Sequence, residues 1–515
     1  MSQKIEIVLS PELSDIESHI LNACAEKLKI QTSEISDFIV NRKAIDARGR
    51  FVKIRQWVTV AVKGEKIDRP EFNPKYHQVH NRPEVHIVGA GPAGLFAALA
   101  LLEHNMKPVI IERGKNVRER RRDLATLNKE GLVNPESNYC FGEGGAGTYS
   151  DGKLYTRSKK RGDVEAVFQT FVHHGANPDI LVNARPHIGT NKLPEIISAI
   201  SKTITDHGGE ILFNTKLTDL AYSDGELKSI TLNGDQKIDA KHLIVATGHS
   251  ANDIYELFDK KKLTLEAKPF ALGLRVEHPQ ELIDSVQYRC DSRGEFLPPA
   301  YYSLVEQVQD RGVFSFCMCP GGIIAPCATE NNEIVVNGWS PSKRNNPYAN
   351  SGMVVQLFPE DFGTNSPLDG LKYRAQIEQK AFEYGGGNQK APGQRLTDFV
   401  YGKSGSGIPQ NSYIPGVTES NLLEILPQVV GKRLQQGFKA FGGKMRGYIS
   451  EEAVVVGVES RTSSPVRIPR DKENFMHPDC KGIYPCGEGA GFAGGIASAA
   501  VDGINCALAI MKNGE

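Results

Sequence analysis

The sequence lacks any hydrophobic run that is long enough to cross a membrane. Its longest apolar stretch, around Gly94–Leu102, falls far short of the ~18 residues that a spanning helix needs. The first residues alternate apolar and charged side chains and contain no apolar core of a signal peptide. These two absences predict a protein without a membrane span that stays in the cytoplasm.

The sequence also lacks an excess of charge of either sign. Its 61 basic residues balance its 61 acidic residues, so the formal net charge is +0. A protein that binds mainly nucleic acid needs a basic excess to neutralise phosphates, so the composition argues against such a partner. Asn41–Arg50 is locally basic. It is either a docking surface for an anionic partner or, as we favour, a solvated hairpin connection.

No two cysteines have the CxxC spacing of a zinc site or the CxxxxC spacing of the disulfide reductases. Nine scattered cysteines fit reduced thiols in a cytoplasm, and no metal is predicted. Cys317 and Cys319, with Cys327 nearby, suggest a redox pair. However, residues i and i+2 of a regular strand lie ~6.5 Å apart, which is poor disulfide geometry.

Glycine, in contrast, is abundant: 51 residues, about a tenth of the chain, against the usual ~7%. The glycines form clusters without a fixed period, which indicates backbone that something approaches closely. The first cluster follows an apolar strand, Val85–Val88, and opens an apolar helix, Leu95–Leu102. It consists of Gly89, Ala90, Gly91, Pro92, Ala93 and Gly94.

This strand–GxGxxG–helix arrangement predicts a dinucleotide site. Gly89 permits the tight turn, Gly91 lets the backbone approach a pyrophosphate, and Gly94 lets helix and strand pack closely. The helix start offers unpaired N–H groups to the anion. Glu112 ends the next strand, 18 residues after Gly94, where an acid accepts hydrogen bonds from ribose hydroxyls.

Three further segments resemble those of glutathione-reductase-like flavoproteins. In LIVATG the resemblance places Ala246, Thr247 and Gly248 near the pyrophosphate and adenine. The loop FGEGGAGTYSDG resembles that of the succinate-dehydrogenase and geranylgeranyl-reductase branches, where small residues let the flavin ring lie against backbone. That loop contributes Gly145, Ala146, Gly147, Ser150, Asp151 and Gly152.

The third segment, GIYPCGEGAGFAGGI, resembles the C-terminal FAD motif of the same superfamily. The resemblance implies that Gly487 and Glu488 reach the ribityl chain and pyrophosphate, and that Gly494, Gly495 and Ile496 face the flavin ring. The predicted cofactor site also includes Arg113, Lys216 and Leu217.

Nearly the whole chain, roughly Ile39 to Leu508, resembles a family of bacterial FAD-dependent dehydrogenases whose substrate is undefined. GAGPAGLFAAL, FGEGGAGTYSDGKL, RPHIGTNKL, PFALGLRVEHP, VESRTSSPVRI and YPCGEGAGFAGGIASAAVDGI carry this resemblance. It implies non-covalent FAD in an α/β protein. That protein has a discontinuous Rossmann-like FAD-binding domain, an inserted β-rich substrate domain and a small N-terminal α+β domain.

The predicted division of the chain follows from this architecture. Residues 1–80 form the N-terminal domain, 81–265 and 425–515 the two parts of the FAD-binding domain, and 266–424 the β-rich domain. Within the third and fourth segments, Tyr384–Gln394 is typical of a loop and Asn421–Ala440 of a helix.

Candidates for substrate chemistry come from the flavin-side loop and the β-rich domain. Asp151 and Lys153 lie in that loop, although a turn aspartate that satisfies backbone is an equal alternative for Asp151. Arg275 binds either a substrate carboxylate or, as we favour, an acid of its own domain. His187 is a weaker candidate. Arg461, Arg467 and Arg470 lie in a polar segment that either binds an anionic substrate or only connects domains.

The predicted function is an FAD-dependent oxidoreductase that transfers hydride between flavin N5 and a small organic substrate. No second GxGxxG fingerprint follows a strand, so any NAD(P)H donor binds transiently. Two alternatives stay open. One is an RNA- or protein-binding flavoprotein that uses residues 1–80 as the docking domain, and the other is a flavin monooxygenase.

Overall fold

The N-terminal part of the computed structural model is a three-stranded antiparallel sheet with one helix packed on it. The structure describes residues 2–156 and 162–513. The first elements are β1 (Gln3–Leu9), α1 (Glu17–Leu28), β2 (Ile35–Asp46) and β3 (Lys53–Val62), with sheet order β1–β3–β2. The favoured hairpin connection over Asn41–Arg50 is therefore wrong for its first half. That half pairs with β3 as a strand, which places the Arg42 guanidinium 4.9 Å from the ring centre of Trp57.

A parallel α/β unit follows. Its elements are β4 (Glu84–Val88), α2 (Pro92–Glu103), β5 (Lys107–Ile111), α3 (Val117–Glu130), α4 (Val164–His173), α5 (Asp179–Val182), α6 (Leu193–Asp206), β6 (Glu210–Leu212), β7 (Leu217–Ser223), β8 (Glu226–Leu232), β9 (Gln236–Asp239), β10 (Leu243–Val245) and α7 (Asn252–Lys260). Strands β7, β8 and β9 form a separate antiparallel sheet.

The middle of the chain is rich in strands. Its elements are β11 (Glu266–Ala267), β12 (Phe270–Pro279), α8 (Gln280–Tyr288), β13 (Val305–Val308), β14 (Arg311–Cys319), β15 (Ile323–Pro326), β16 (Val336–Trp339), β17 (Tyr348–Leu357), α9 (Pro359–Phe362), α10 (Asp369–Gly385), β18 (Ala391–Arg395), α11 (Leu396–Tyr401), β19 (Val417–Glu419), α12 (Leu422–Ile425), α13 (Gln428–Lys444) and β20 (Val454–Glu459). The chain closes with β21 (Val466–Arg467), β22 (Ile483–Pro485) and α14 (Ile496–Asn513).

The two main sheets confirm the predicted fold class. A five-stranded parallel sheet has the order β22–β10–β4–β5–β6, so its first strand comes from the end of the chain. A seven-stranded sheet, β13–β14–β17–β12–β20–β18–β19, is inserted between β10 and β22. The protein is thus a discontinuous Rossmann-like α/β unit with an inserted β-rich part and a small N-terminal α+β part.

Two local predictions in the β-rich part need correction. The predicted loop Tyr384–Gln394 overlaps β18, a buried strand whose lack of alternation hides it in the sequence. The predicted helix Asn421–Ala440 is two helices, α12 and α13, because Pro427 cannot continue the first. The predicted domain division stays a prediction. Within its last segment, 425–515, α13 packs on the seven-stranded sheet and β20 belongs to it.

Helices α2 and α14 cross in close contact beside the parallel sheet. A Cβ added to Gly503 would lie 2.0 Å from the carbonyl oxygen of Ala93, so only glycine permits this approach. The contact places the starts of two helices from opposite ends of the chain side by side. Among the described residues, none of the helices is long and apolar enough to cross a bilayer.

Candidate functional site

A cavity of about 290 Å³ lies at the carboxyl ends of the parallel strands, facing the seven-stranded sheet. This edge of an open parallel sheet is where such folds bind ligands. Most of the predicted cofactor site lines it. The lining residues from that set are Gly89, Gly91, Pro92, Ala93, Glu112, Arg113, Gly145, Ala146, Gly147, Ser150, Asp151, Gly152, Lys216, Leu217, Ala246, Thr247, Gly248, Gly487, Glu488, Gly494, Gly495 and Ile496.

Ala90 and Gly94 are the two members of the predicted set that do not line the cavity. Both serve packing. A Cβ on Gly94 would lie 1.9 Å from the Gly89 carbonyl oxygen, whereas a Cβ on Gly91 would meet only Gly145 Cα at 3.9 Å. Gly91 therefore presents open backbone to the cavity at the start of α2, and Gly94 allows that helix to lie against β4.

The Glu112 carboxylate holds the glycine loops together. One oxygen accepts a hydrogen bond from Ala90 N at 2.8 Å, and the other accepts from Gly114 N at 2.8 Å and Gly142 N at 2.9 Å. These bonds join the first glycine loop to the loop that follows α3. The predicted contact of Glu112 with ribose stays a prediction, and the first oxygen has a lone pair left for it.

A buried arginine that the sequence analysis missed shapes the loop over residues 138–147. The Arg120 guanidinium is fully buried and donates to the carbonyl oxygens of Asn138, Glu143 and Tyr139 at 2.8, 2.8 and 3.0 Å. In addition, Gly144 N donates to Ala90 O at 2.8 Å. An arginine within a charged helix resembles a surface residue, so nothing in the sequence pattern indicates this role.

The third predicted segment borders the start of α14. A Cβ on Gly494 would lie 2.2 Å from Glu488 Oε2, so any larger residue would displace the Glu488 carboxylate from this position. Burial raises the pKa of the Glu488 carboxyl, and Lys268 opposes this rise. Gly487 N donates to Asp502 at 2.7 Å, and Arg470 pairs with the same carboxylate at 2.6 Å.

Asp502 also belongs to a group with Cys486 and Cys506 whose potential ligand atoms lie within 4.8 Å of one another. Arg470 donates to Asp502 and to Cys506 Sγ at 3.4 Å. A guanidinium therefore already supplies the positive charge at this position. Arg467, the next predicted arginine, lies 3.6 Å from Glu266 near the surface.

The candidates for substrate chemistry divide into two groups. Asp151 and Lys153 line the cavity, and their side chains lie 3.4 Å apart. Arg344 donates twice to the Asp151 carboxylate, at 2.7 and 3.3 Å. Burial would raise the pKa of Asp151, but Lys153 and Arg344 outweigh it and lower that pKa, so the carboxylate stays ionised.

The second group, Arg275 and His187, does not line the cavity. Arg275 is fully buried and donates to Glu459 at 2.7 Å, Asn350 at 2.7 Å and Asn337 at 3.1 Å. Its guanidinium is used within the seven-stranded sheet, so its assignment to a substrate carboxylate is wrong. His187 does not line the cavity. Its Nε2 lies 3.1 Å from the Ser342 carbonyl oxygen, and burial lowers its pKa to about 4.

Comparison with known proteins identifies the family. The model of a family described as "FAD-dependent protein, C-terminal domain-like" matches residues 269–462, and that of a "Domain of unknown function (DUF8436)" matches residues 1–62. A Clostridium beijerinckii protein called "Uncharacterized protein" is 40% identical over 99% of this chain and 98% of its own length. This chain belongs to the FAD-dependent protein family. FAD is accordingly its cofactor.

Solved structures show a distant likeness to this FAD-dependent protein. CtdE in complex with FAD is 11% identical, covers 84% of this chain and 84% of its own, and has a TM-score of 0.33. A geranylgeranyl bacteriochlorophyll reductase-like protein from Thermoplasma acidophilum is 11% identical over 84% and 79%, with a TM-score of 0.36. The halogenase PltM is 12% identical over 83% and 68%, also at 0.36.

The seven-stranded sheet supplies the other side of the cavity in this FAD-dependent protein. Phe316 and Cys317 come from β14 of this sheet, and Thr462 comes from the segment after β20. Asn337 comes from β16, which pairs with β15 in a separate two-stranded sheet beside it. Apart from Cys317, these residues were not predicted, because no motif marks them and only the pairing of distant strands brings them to the cavity. Phe316 and Thr462 also border a second, more open cavity of about 360 Å³.

A buried ion cluster lies behind His249, which also lines the cavity. Arg461 pairs with Glu378 and Glu333, each at 2.8 Å. Burial and the nearby arginines lower the pKa of His249 to about 3, so its ring is neutral at pH 7. Because these acids pair with the Arg461 guanidinium, Arg461 does not support the interpretation of its segment as a loop that binds an anionic substrate.

Proposed function

We propose that the protein is an FAD-dependent oxidoreductase that holds FAD along the parallel-sheet side of the cavity and an organic substrate against the seven-stranded sheet. The observation that carries the proposal is the convergence of four distant glycine segments on one cavity. The segments begin at Gly89, Gly145, Ala246 and Gly487, so they come from positions spread across most of the chain.

The residues present fit a dinucleotide. Gly91 offers a face without a side chain at the start of α2, where unpaired N–H groups favour a pyrophosphate. The start of α14 lies beside it and favours negative charge on the flavin ring. At the far end, Arg113 and Lys216 pair with Glu136 and Asp253 and close the cavity edge.

The chain's own groups account for binding and orientation. When bound, FAD supplies the acceptor or donor of a hydride at N5. Lys153 keeps a cationic group at the cavity wall, since the neighbouring Asp151 raises the pKa of that ammonium against the effect of burial. Phe316 provides an aromatic face and Asn337 an amide NH₂ group with which an organic substrate can be oriented, while Arg275 holds the Asn337 amide oxygen. The Thr462 hydroxyl lines the same wall and is bonded to the Ala271 backbone.

The ion pairs of the basic N-terminal stretch favour an oxidoreductase over a flavoprotein that binds RNA. Lys43 pairs with Asp15 at 2.5 Å, Arg48 with Asp46 at 2.6 Å, and Arg55 with Glu6. Arg42 lies over Trp57. Three cations of this region are therefore paired with acids of the same domain, which reduces their attraction for phosphates.

The cofactor placement is tested by Gly91→Val. Gly91 has an ordinary φ of −74°, and its Cβ would have room, so the variant should fold like wild type. The valine side chain would occupy the place of the pyrophosphate, and we expect FAD per chain to fall at least tenfold. Gly443→Val, where a Cβ also meets nothing within 4 Å, is the control and should keep full FAD content. Normal FAD in a folded Gly91→Val protein would contradict the placement.

The reaction class is tested by mixing the FAD-loaded protein with organic donors and with NAD(P)H without oxygen. An oxidoreductase bleaches with its donor under these conditions and is re-oxidised by an organic acceptor. A monooxygenase instead consumes oxygen together with NAD(P)H and yields a hydroxylated product. Turnover that requires oxygen as a substrate would therefore contradict our proposal in favour of the monooxygenase.

A further inference from the structure

Two thiols on the substrate side of the cavity share one ammonium group. Lys153 Nζ lies 3.8 Å from Cys317 Sγ and 3.4 Å from Cys319 Sγ. Cys319 Sγ also donates to the backbone carbonyl oxygen of Cys317 at 3.3 Å. Lys153 and Cys317 line the cavity, whereas Cys319 is buried directly behind them. The three groups form a cluster that we call the thiol cluster.

An irregularity in β14 produces this geometry. The register between β14 and β17 shifts between Phe316 and Cys319, and Cys317 has a φ of +47°. A left-handed residue other than glycine is uncommon and is concentrated at functional sites. Because β14 is irregular here, the ~6.5 Å spacing of a regular strand does not apply to Cys317 and Cys319. Both Sγ atoms instead lie within 3.8 Å of Lys153 Nζ. The argument from i and i+2 spacing assumes a regular strand, so it does not exclude a redox pair here.

The charges around the cluster favour one ionised sulfur. The hydrogen bond from Cys319 lowers the pKa of Cys317, and Lys153 and Arg275 add to this against the effect of burial. The same hydrogen bond and burial raise the pKa of Cys319. Cys317 is thus the thiolate that faces the cavity, and Cys319 is the thiol that keeps its proton. A thiolate is the reactive form in disulfide chemistry.

We propose that Cys317 and Cys319 are a redox-active dithiol that exchanges two electrons with the flavin. The inference rests on the proposed function, because it needs FAD in the cavity beside Cys317. A bond forms between the two sulfur atoms, the remaining S–H bond of Cys319 breaks, and two electrons pass to the flavin. The flavin takes up one proton from Cys319 and one from solvent, the latter replacing the proton already lost by Cys317. Two thiols and FAD thereby give one disulfide and reduced FAD.

Lys153 is a positioning residue in this scheme. Its ammonium stabilises the Cys317 thiolate and holds both sulfur atoms on one side of the cavity. Asp151 anchors this ammonium from the other side at 3.4 Å, and Arg344 anchors Asp151. The ammonium is therefore fixed through the buried Asp151, so its position beside the thiols does not depend on a free surface side chain.

The proposal is tested by anaerobic reductive titration of the air-oxidised holoprotein with dithionite. Wild type should take up four electrons per FAD, two for the flavin and two for the disulfide. Cys317→Ser and Cys319→Ser should each take up two. Cys290→Ser is the matched control, a partly buried thiol that does not line the cavity, and it should still take up four.

A spectrum of the oxidised flavin separates the roles of the residues. It is taken after the first two electrons in wild type and the Lys153 variants, and before any reductant in the two cysteine variants, which cannot form the disulfide. Oxidised flavin beside a thiolate gives absorption beyond 500 nm, which Cys317→Ser and Lys153→Met should lose. Cys319→Ser and Lys153→Arg should keep it. A purely structural Lys153 would leave this absorption unchanged in Lys153→Met and would overturn its assigned role.

Mass spectrometry tests for the Cys317–Cys319 disulfide bond in the wild-type protein, so this test needs no variant. The peptide that contains Cys317 and Cys319 should be two mass units lighter after air oxidation than after reduction. An uptake of two electrons by wild type with full FAD content, or an unchanged peptide mass, would overturn the dithiol proposal alone. A folded wild type without FAD would overturn the proposed function, and the dithiol proposal with it.

Discussion

The two sides of the cavity are built in different ways. On the parallel-sheet side, the lining comes from glycine segments that follow directly after β4, β10 and β22. On the seven-stranded side, Phe316 and Thr462 come together only through the pairing of β14, β17, β12 and β20, and Asn337 comes from the β15–β16 hairpin beside that sheet. The first side presents mainly backbone, and the second presents side chains.

This difference teaches how the protein separates cofactor binding from substrate choice. A backbone surface depends on local turns and glycine conformations, so substitutions in the rest of the chain should leave its shape unchanged. The side-chain surface depends on buried charges such as Arg275–Glu459 and Arg461–Glu378, which fix the strands behind it. Substitutions should therefore affect stability most on the second side and FAD content most on the first.

The largest expected effect on stability is that of Arg461→Met, on the seven-stranded side of the cavity. Its side chain is 4% exposed, and its loss would leave Glu333 and Glu378 as adjacent buried carboxylates. Breaking a buried ion pair in this way costs about 3–5 kcal/mol. We expect a large fall in thermal stability, measured by calorimetry of the apoprotein. Arg467→Met, whose side chain is 43% exposed, should shift the melting temperature little. Equal shifts would contradict the assigned difference between the two arginines.

Arg120→Met tests whether the parallel-sheet side also depends on a buried charge. The change leaves the carbonyl oxygens of Asn138 and Tyr139 without their donor, whereas Glu143 O keeps the Thr148 hydroxyl at 2.8 Å. Unsatisfied buried acceptors should destabilise this loop by about 3 kcal/mol. We expect FAD to dissociate faster, as measured by the return of free flavin fluorescence after dilution. The exposed Arg118, changed to Met, is the control. An unchanged dissociation rate in Arg120→Met would show that the loop does not hold the cofactor.

Gly94→Ala separates packing from binding within the first glycine segment. The new Cβ would lie 1.9 Å from the Gly89 carbonyl oxygen, a backbone atom that cannot move without shifting β4. Overpacking of this kind costs about 1–3 kcal/mol. We expect lower stability of the apoprotein in urea unfolding. Gly91→Ala should leave apoprotein stability unchanged, since its Cβ meets no atom closer than 3.9 Å. A Gly94→Ala apoprotein as stable as wild type would refute the packing role.

The same division explains how much the sequence could predict. The five-stranded sheet and its glycine loops follow from local patterns: an apolar strand, a glycine turn and an apolar helix. Strands β18 and β20 were missed because they are buried on both faces and carry no polar alternation. Their assignment needs the neighbours that cover them.

The candidate site shows the same limit. Asp151 and Lys153 were predicted because they lie in a recognisable loop, and the structure places both at the cavity. For Arg275 the favoured alternative was an acid partner, but that acid, Glu459, is 184 residues away in the chain, so the sequence alone could not name it. The bend at Cys317 depends on the register of β14 against β17, and a sequence contains no direct signal for that register.

The smallest expected effect concerns the charge of one buried acid in the seven-stranded sheet. Burial raises the pKa of Glu277 from 4.5 to about 7, against the hydrogen bonds from Ser412 and the charge of Arg275. A carboxyl whose pKa is higher in the folded state favours folding while it is protonated. Its contribution is therefore full below pH 4.5 and is lost as the pH rises towards 7 and above.

Glu277→Gln should remove this dependence, because a glutamine can still accept the hydrogen bond from Ser412 N. We expect the free energy of unfolding of wild type to fall between pH 6 and pH 7 by about 1 kcal/mol more than that of the variant. Urea unfolding of both proteins across this range measures the difference. Parallel pH profiles would mean that Glu277 is already ionised at pH 6 in the folded protein. The sheet would then hold a charged acid at this position and would rely on Arg275 to compensate for it.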